Sequence, residues 1–163
     1  MYIGIISDTH GDFDQKIKEF LEPVDEIWHA GDFGTVAVAD EIAAFKPLRG
    51  VHGNCDGLDI RVTYHECEAF EVEGKRVLIK HIGGYPGRYD WNAVNFINHF
   101  KPDIFVCGHS HILKVINDPK YNMLCINPGA SGLLGFHKVK TAIRFHIDDG
   151  VIHDMEVGEW RKF

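Results

Sequence analysis

The sequence predicts an α/β fold of two packed, mixed β-sheets flanked by helices, and three observations predict it. Residues 1–52 alternate short apolar runs with helical stripes, the rhythm of parallel strands joined by right-handed crossovers. From Thr63 onward strand-like runs dominate, and those after residue 104 are joined by short turns, which predicts antiparallel pairing. Five of the apolar runs end in Asp, Asn or His, often beside a glycine. The carboxyl ends of strands in open α/β sheets are where ligands bind, so these polar tips are expected to meet in one crevice.

Residues 2–7 read as the first strand. Phe13, Ile17, Phe20 and Leu21 then recur at helical spacing, with Asp12 as the expected N-cap and Pro23 as the stop. Glu26–His29 is the second strand, Val36–Phe45 an alanine-rich helix ended before Pro47, and 48–52 the third strand. Residues 57–60 read as loop. A hairpin follows, with strands 63–72 and 75–81 about Glu73-Gly74. Beyond the glycine-rich loop 83–87, Val94, Ile97 and Phe100 mark a helix over Trp91–Phe100. Strand 104–107 leads into Gly108, and strands 112–117, 123–127, 141–147 and 151–157 complete the pattern. No repeat or linker interrupts the chain, so residues 1–163 are expected to form one domain with a core that needs no staples.

The stretch least like packing is Gly108-His109-Ser110-His111, two imidazoles just past a buried run and a glycine. Along an extended chain the rings point to opposite sides, so a turn is needed, and Gly108 is the residue whose φ permits one. The other strand ends are Asp8-Thr9-His10, Gly31-Asp32, Gly53-Asn54-Cys55-Asp56 and His81. Together they offer Asp8, His10, Asp32, Asn54, His81, His109 and His111. Two carboxylates, an amide and four imidazoles are too many for one tetrahedral zinc, but they suit two ions sharing a carboxylate. The nitrogen–oxygen mixture favours divalent transition ions, manganese first and iron, zinc or nickel besides, over magnesium. Two ions roughly 3.5–4 Å apart generate hydroxide at neutral pH and clamp an in-line displacement at phosphorus, which makes phosphoester hydrolysis the expected reaction.

In the order DxH, GD, GN, H and GHxH, the sequence resembles the calcineurin-like metallophosphoesterases, and within them the small single-domain phosphodiesterases of bacteria and archaea. The resemblance runs from Asp8 to Asn127-Pro128-Gly129. It implies a four-layer sandwich in which Asp8, His10 and His111 hold one ion, Asn54, His81 and His109 the other, and Asp32 bridges. It also implies a bridging hydroxide as nucleophile toward a small phosphodiester. Asp32, Asn54 and His109 are then the catalytic candidates, and Asn54, Cys55 and Arg88 the substrate-binding ones. Cys55 stands where the wider family more often has histidine. A thiol is a poor proton donor to an alkoxide, and the small phosphodiesterases also tend to carry cysteine there, which points to diesters. Arg88, just past the glycine-rich loop, has the bidentate guanidinium that suits phosphate. His81 is followed by Ile82-Gly83 where the family more often has glycine at once, which bears on the shape of that loop. The alternative is a non-catalytic scaffold similar to the retromer scaffold subunit, although here none of the seven ligand positions is lost.

Composition narrows the partners. With 45% hydrophobic and 25% charged residues and a net charge of −7, the chain reads as an ordinary globular protein whose surface is unsuited to nonspecific nucleic-acid binding. The four cysteines form no CxxC pair and are expected to be free, buried thiols in a reducing compartment. No run reaches the roughly 18 apolar residues of a membrane span and no signal-like segment precedes Asp8, so the expected location is cytoplasmic. Leu133 stands where a GxSxG motif would need glycine, and there is no P-loop. His29 and His52 precede Asp32 and Asn54 and would orient ligands if they do not simply pack. His65, His99, His137, His146 and His153 read as surface or sheet residues. Pairing of exposed sheet edges would give a homodimer.

Overall fold

The structure is a computed structural model describing residues 1–163. Along the chain, β1 (Tyr2–Ile6), α1 (Gln15–Leu21), β2 (Glu26–His29), α2 (Val36–Phe45) and β3 (Leu48–Gly50) alternate as the sequence predicts. A short helix α3 (Leu58–Arg61) precedes the hairpin β4 (Cys67–Val72) and β5 (Lys75–Lys80), then α4 (Trp91–Phe100) and β6 (Ile104–Val106). The last four strands are β7 (Leu113–Asp118), β8 (Met123–Pro128), β9 (Val139–Asp148) and β10 (Val151–Arg161). They form two five-stranded sheets, ordered β10-β9-β1-β2-β3 and β4-β5-β6-β8-β7.

The layers follow from period-two side-chain alternation. Ile3, Ile5 and Trp28 from the first sheet meet Val77, Ile79, Ile104 and Val106 from the second, forming the core between the sheets. The opposite face of the first sheet, with Ile6 and Ile27, packs on Ile17, Leu21, Val38 and Ile42 of α1 and α2. The outer face of the second, with Leu78, Phe105 and Cys107, packs on Ala93 and Ile97 of α4. Three apolar interfaces therefore separate four layers. Trp28 is fully buried, and its indole N–H donates to Glu26 Oε1 at 2.8 Å, so the ring carries no orphaned donor inward.

Local departures have local causes. Asp14, rather than Asp12, caps α1 by accepting from Ile17 N–H at 3.0 Å; Asp12 lies in the preceding turn, its N–H donating to Thr9 O at 2.9 Å, too early to reach the first turn of a helix that begins at Gln15. Residues 57–60, predicted as loop, lie largely in α3, a single turn anchored by buried Ile60. Residues 63 and 64 extend that turn, their N–H groups donating to Ile60 O at 3.0 and 2.9 Å, so the strand predicted from Thr63 begins only at Cys67. Lys101, left-handed at φ 48°, ends α4 before Pro102.

The larger correction is topological. The predicted antiparallel run is split between the sheets: β7 and β8 pair in the second, whereas β9 and β10 cross to the first, β9 antiparallel to β1. In the second sheet β5, β6 and β8 are mutually parallel. Each sheet thus contains three parallel strands, β1-β2-β3 and β5-β6-β8, and the carboxyl ends of all six open on one edge. No helix is long and apolar enough to cross a membrane.

Candidate metal centre

All seven predicted ligands stand at that edge, and the backbone reaching them is unusual. Asp8, His10, Asp32, His109 and His111 all have positive φ, between 46° and 68°. Non-glycine residues rarely adopt this conformation, which costs of order 1–3 kcal/mol each and clusters at functional sites. It corrects the expected turn at Gly108. The histidines supply the left-handed φ themselves, and Gly108 is glycine because a Cβ there would lie 2.0 Å from Ser7 Oγ and 2.7 Å from Asp8 Oδ2. At Gly53 a Cβ would lie 2.0 Å from Asp32 Oδ1. The glycines of GN and GH are thus spaces into which the neighbouring strand's carboxylate fits.

Each carboxylate is held by one oxygen, leaving the other toward the imidazoles. Asp8 Oδ2 accepts from Ser7 Oγ at 2.7 Å and from His109 N–H at 3.1 Å. Asp8 Oδ1 faces Nε2 of His111 at 3.1 Å and of His10 at 3.7 Å. Asp32 Oδ1 accepts from Cys55 N–H at 2.8 Å, while Oδ2 faces Nε2 of His81 at 3.2 Å and of His10 at 3.7 Å. Asn54 Oδ1 lies 3.0 Å from both His81 Nε2 and His109 Nδ1. The ligand atoms of Asp8, His10 and His111 fall together, as do those of Asp8, Asp32 and His81 and of His10, Asp32 and Cys55.

The donor set fits metal on two independent observations. His10 Nε2 is buried and has no hydrogen-bond partner, although it points between Asp8 and Asp32, and such an orphan requires an explanation. His111 supplies the second. His137 Nε2 lies 2.9 Å from Gly132 O and must donate to it, so a neutral His137 has only a lone pair at Nδ1. That lone pair faces His111 Nδ1 at 3.2 Å and must accept from it, which leaves the lone pair of a neutral His111 at Nε2, 3.1 Å from Asp8 Oδ1. Two lone pairs so placed call for a cation. Burial lowers the His137 pKa and keeps its ring neutral. His81 is oriented in the same way, its Nδ1 donating to Ala30 O at 2.7 Å.

Charge follows geometry. Burial opposes ionisation of Asp32 and Asp8, but His81 beside the first and His111 and His81 beside the second hold both carboxyls below their usual range. Burial lowers His81, yet Asp32 and Asp8 raise it further, to a net value above the ordinary one. His109 is lowered, by burial and then by His81. Cys55 is raised, by burial and then by Asp32, so its thiol stays protonated near neutral pH.

Residues around the seven hold them in place, some of them flagged by the sequence and some not. His29 is fully buried; Gly31 N–H donates to its Nδ1 at 3.0 Å, so Nε2–H donates to Thr9 Oγ1 at 2.9 Å, tying the Asp8 loop to the Asp32 loop. Burial lowers its pKa to about 3, so this tautomer stays neutral. The His52 ring reaches no predicted ligand: its Nδ1 lies 3.2 Å from Gly53 O, and the backbone N–H of His52 donates to His65 O at 3.0 Å. Asn127 Nδ2 donates to Gly108 O at 2.9 Å and to Ser110 Oγ at 3.1 Å, fixing the histidine turn. Asp56 accepts from the N–H groups of Phe33, Gly34 and Gly53 at 3.2, 3.0 and 2.8 Å. Arg61 on α3 donates to Asp56 O at 2.7 Å and Gly53 O at 3.3 Å. His137, read from sequence as a surface or sheet residue, lies in the site.

A cavity of about 570 Å³ opens over the cluster. His10, Asp32, Asn54, His109 and His111 line it, and so does Cys55, which is exposed rather than buried as the sequence suggested. Arg88 does not. Its loop is folded back by Asp90 N–H donating to Gly83 O at 2.9 Å, and Tyr89 beside it is tied to Asp118 at 2.7 Å, leaving Arg88 in solvent. No lysine or arginine lines the cavity.

The hydrogen-bond chain through His137 has a measurable consequence. Replacing His137 by alanine frees the His111 tautomer and is expected to weaken manganese binding about ten-fold, the lower end of what such supporting partners contribute. Calorimetric titration of the metal-free protein checks it, and an unchanged affinity would show that His111 is oriented by other means.

Known proteins share parts of this sequence and this fold. Residues 1–150 match the calcineurin-like phosphoesterase superfamily domain. A probable metallophosphoesterase of Methanothermobacter thermautotrophicus is 28% identical over 138 residues, which cover 80% of this chain and 77% of that protein. Among solved structures, an archaeal phosphodiesterase superposes with a TM-score of 0.72 at 23% identity, covering 96% of this chain and 99% of the other. Wild-type Vps29 of Entamoeba histolytica, complexed with Zn2+, superposes with a TM-score of 0.75 at 16% identity over the whole of both chains.

Proposed function

The chain belongs to the calcineurin-like phosphoesterase superfamily, and we propose that this metal-dependent phosphoesterase hydrolyses a small phosphodiester at a dinuclear centre. In this reading Asp8, His10 and His111 hold one divalent ion, Asn54, His81 and His109 the other, and Asp32 serves both. Ions bound there supply hydroxide at neutral pH and neutralise charge on the phosphoryl group. The chain's own residues do the rest. Asn54 and His109 line the cavity, where they orient the phosphoryl oxygens. The neutral Cys55 thiol offers no cation. The P–O bond to the hydroxide oxygen would form as the opposite P–O bond breaks, the ester oxygen leaving with the electron pair and the proton given up by the water passing to solvent. With no strong acid lining the cavity, esters whose leaving group needs no protonation are expected to react fastest.

The observation carrying diester over monoester is the absence of any lysine or arginine in the cavity, beside two carboxylates held ionised. A monoester dianion would have to rely on the ions alone, whereas a diester brings a single negative charge. Manganese-dependent hydrolysis of bis(para-nitrophenyl) phosphate against the para-nitrophenyl monoester tests this, with the diester expected to be faster. The fold likeness to Vps29 favours a second reading, a scaffold without turnover. A folded, metal-loaded protein inert toward both esters would favour it.

Metal binding should depend on pH with a defined sign. The raised pKa of His81 means its Nε2 holds a proton to a higher pH than an ordinary histidine, and an ion must displace that proton. Affinity is therefore expected to fall as pH drops through that value, by about ten-fold per unit for each proton displaced. Manganese titrations at about pH 8 and about pH 6 measure it, and an affinity flat across that range would contradict the ligand set.

A further inference from the structure

One wall of the cavity takes no part in holding metal. Ile112 follows the histidine turn, and Leu134 and Phe136 come from the segment between β8 and β9; all three line the same cavity as Asp32, Asn54 and His109. Their exposures are 56%, 63% and 106%, so Phe136 stands wholly in water beside a cluster of ionised and metal-liganding groups. Apolar side chains gathered at the mouth of a polar site mark a surface that a ligand covers. The segment bearing them is not loose at its base. Gly132 N–H donates to Asp8 O at 3.1 Å, Lys162 Nζ donates to Gly135 O at 2.9 Å, and His137 is bonded to both Gly132 and His111.

From this we infer that Ile112, Leu134 and Phe136 receive a flat, apolar ring carried on the non-leaving ester oxygen of the phosphodiester, a nucleobase or an aryl group. The inference rests on the phosphodiesterase reading. Three features of the cavity select that occupant. It is continuous with the ligand cluster, so a group seated there is within reach of a phosphorus bound over Asp32 and Asn54. Its volume of about 570 Å³ exceeds what a bare phosphoryl group fills. No lysine or arginine lines it, and the nearby Lys162 ammonium is engaged by Gly135 O at 2.9 Å, so the wall presents apolar side chains rather than a cation to whatever extends from the phosphorus.

The test keeps the leaving group constant. Methyl, phenyl and thymidine-5′ esters of para-nitrophenyl phosphate all release para-nitrophenolate, so differences in kcat/KM report the other ester group. The two ring-bearing esters are expected to exceed the methyl ester by about ten-fold, a discrimination that one well-buried apolar group supplies. That ratio should collapse toward one when Phe136→Ala and Leu134→Ala are combined. A thymidine ester well above the phenyl ester identifies a nucleobase, and equal rates an aryl ring without further recognition. A ratio near one in the unaltered protein, or one that the double variant leaves in place, overturns the inference. If the metal-loaded protein consumes none of the esters, the phosphodiesterase reading fails on its own, and calorimetric titration of the same esters decides the remaining question. Ring-bearing esters bound about ten-fold more tightly than the methyl ester, with the difference lost in the double variant, sustain the apolar seat; equal affinities overturn it.

Discussion

Metal-dependent hydrolysis of bis(para-nitrophenyl) phosphate is expected to fall by about a thousand-fold or more when Asp32 is replaced by asparagine, with the fold retained. Asp32 Oδ1 accepts from Cys55 N–H at 2.8 Å, and an asparagine can keep that bond only by placing its carbonyl oxygen there. Its NH2 group must then occupy the place of Oδ2, which faces His81 Nε2 at 3.2 Å and His10 Nε2 at 3.7 Å. The variant therefore loses the charge that the proposed centre shares between its two ligand groups and turns two protons toward the place proposed for the ions. A thousand-fold corresponds to about 4 kcal/mol, within the several kcal/mol of charge stabilisation a metal ion contributes to such reactions. Rates measured beside bound-metal content check it. More than about a tenth of the original activity in a metal-loaded variant would remove Asp32 from its assigned place.

The largest loss of stability is expected from a residue that binds no metal. Asp56 is 4% exposed and accepts from three backbone N–H groups, two in the loop after Asp32 and one at Gly53. Alanine there would leave all three without a partner. At about 1–3 kcal/mol for each buried donor, with part of the deficit relieved by water entering, the expected destabilisation is about 3–5 kcal/mol. Urea denaturation of the metal-free protein measures it as a lower midpoint at unchanged slope. The same variant lets the Asp32 and Asn54 loops slide apart, so its manganese affinity should fall too. A loss under about 1 kcal/mol would show that Arg61 and its bonds to Asp56 O and Gly53 O hold the loops without the carboxylate.

Much of the scaffold was legible because its elements announce themselves by period. The alternation of Ile3, Ile5 and Ile6, or of Val77, Leu78 and Ile79, assigns each side chain to one of two faces, and the bounds of β2, α2 and α4 can be read from their apolar stripes and the prolines beyond α2 and α4. α3 was hidden because a single turn shows no 3.6-residue period. The exchange of β9 and β10 into the first sheet was hidden for a different reason: a hairpin's local pattern is the same whichever sheet receives it, and the pairing of Ile5 with Ile143 is a long-range fact. At the site, the seven strand-tip residues stood out by type and place. His137 did not, since its partner His111 lies 26 residues away and no spacing links them. Asp56 was visible beside Asn54, but three backbone donors arriving from two loops leave no trace in sequence.

The place of β1 between β2 and β9 governs the order in which the protein can be built. All seven ligand residues are translated before β9, so while the ribosome is still working, β1 has an open edge and the cleft has its donors without its frame. The Asp8 loop gains its last backbone bonds when Ser131 N–H reaches Ser7 O at 2.8 Å and Gly132 N–H reaches Asp8 O at 3.1 Å, on the segment that leads into β9. Pairings this distant in sequence form late and slowly. An ion that arrives during synthesis meets flexible side chains that rank metals by intrinsic affinity alone, whereas the finished cleft adds geometry to the choice. The placement of β1 thus makes the two carboxyl-terminal strands the last step in shaping the cleft in which we place the metal.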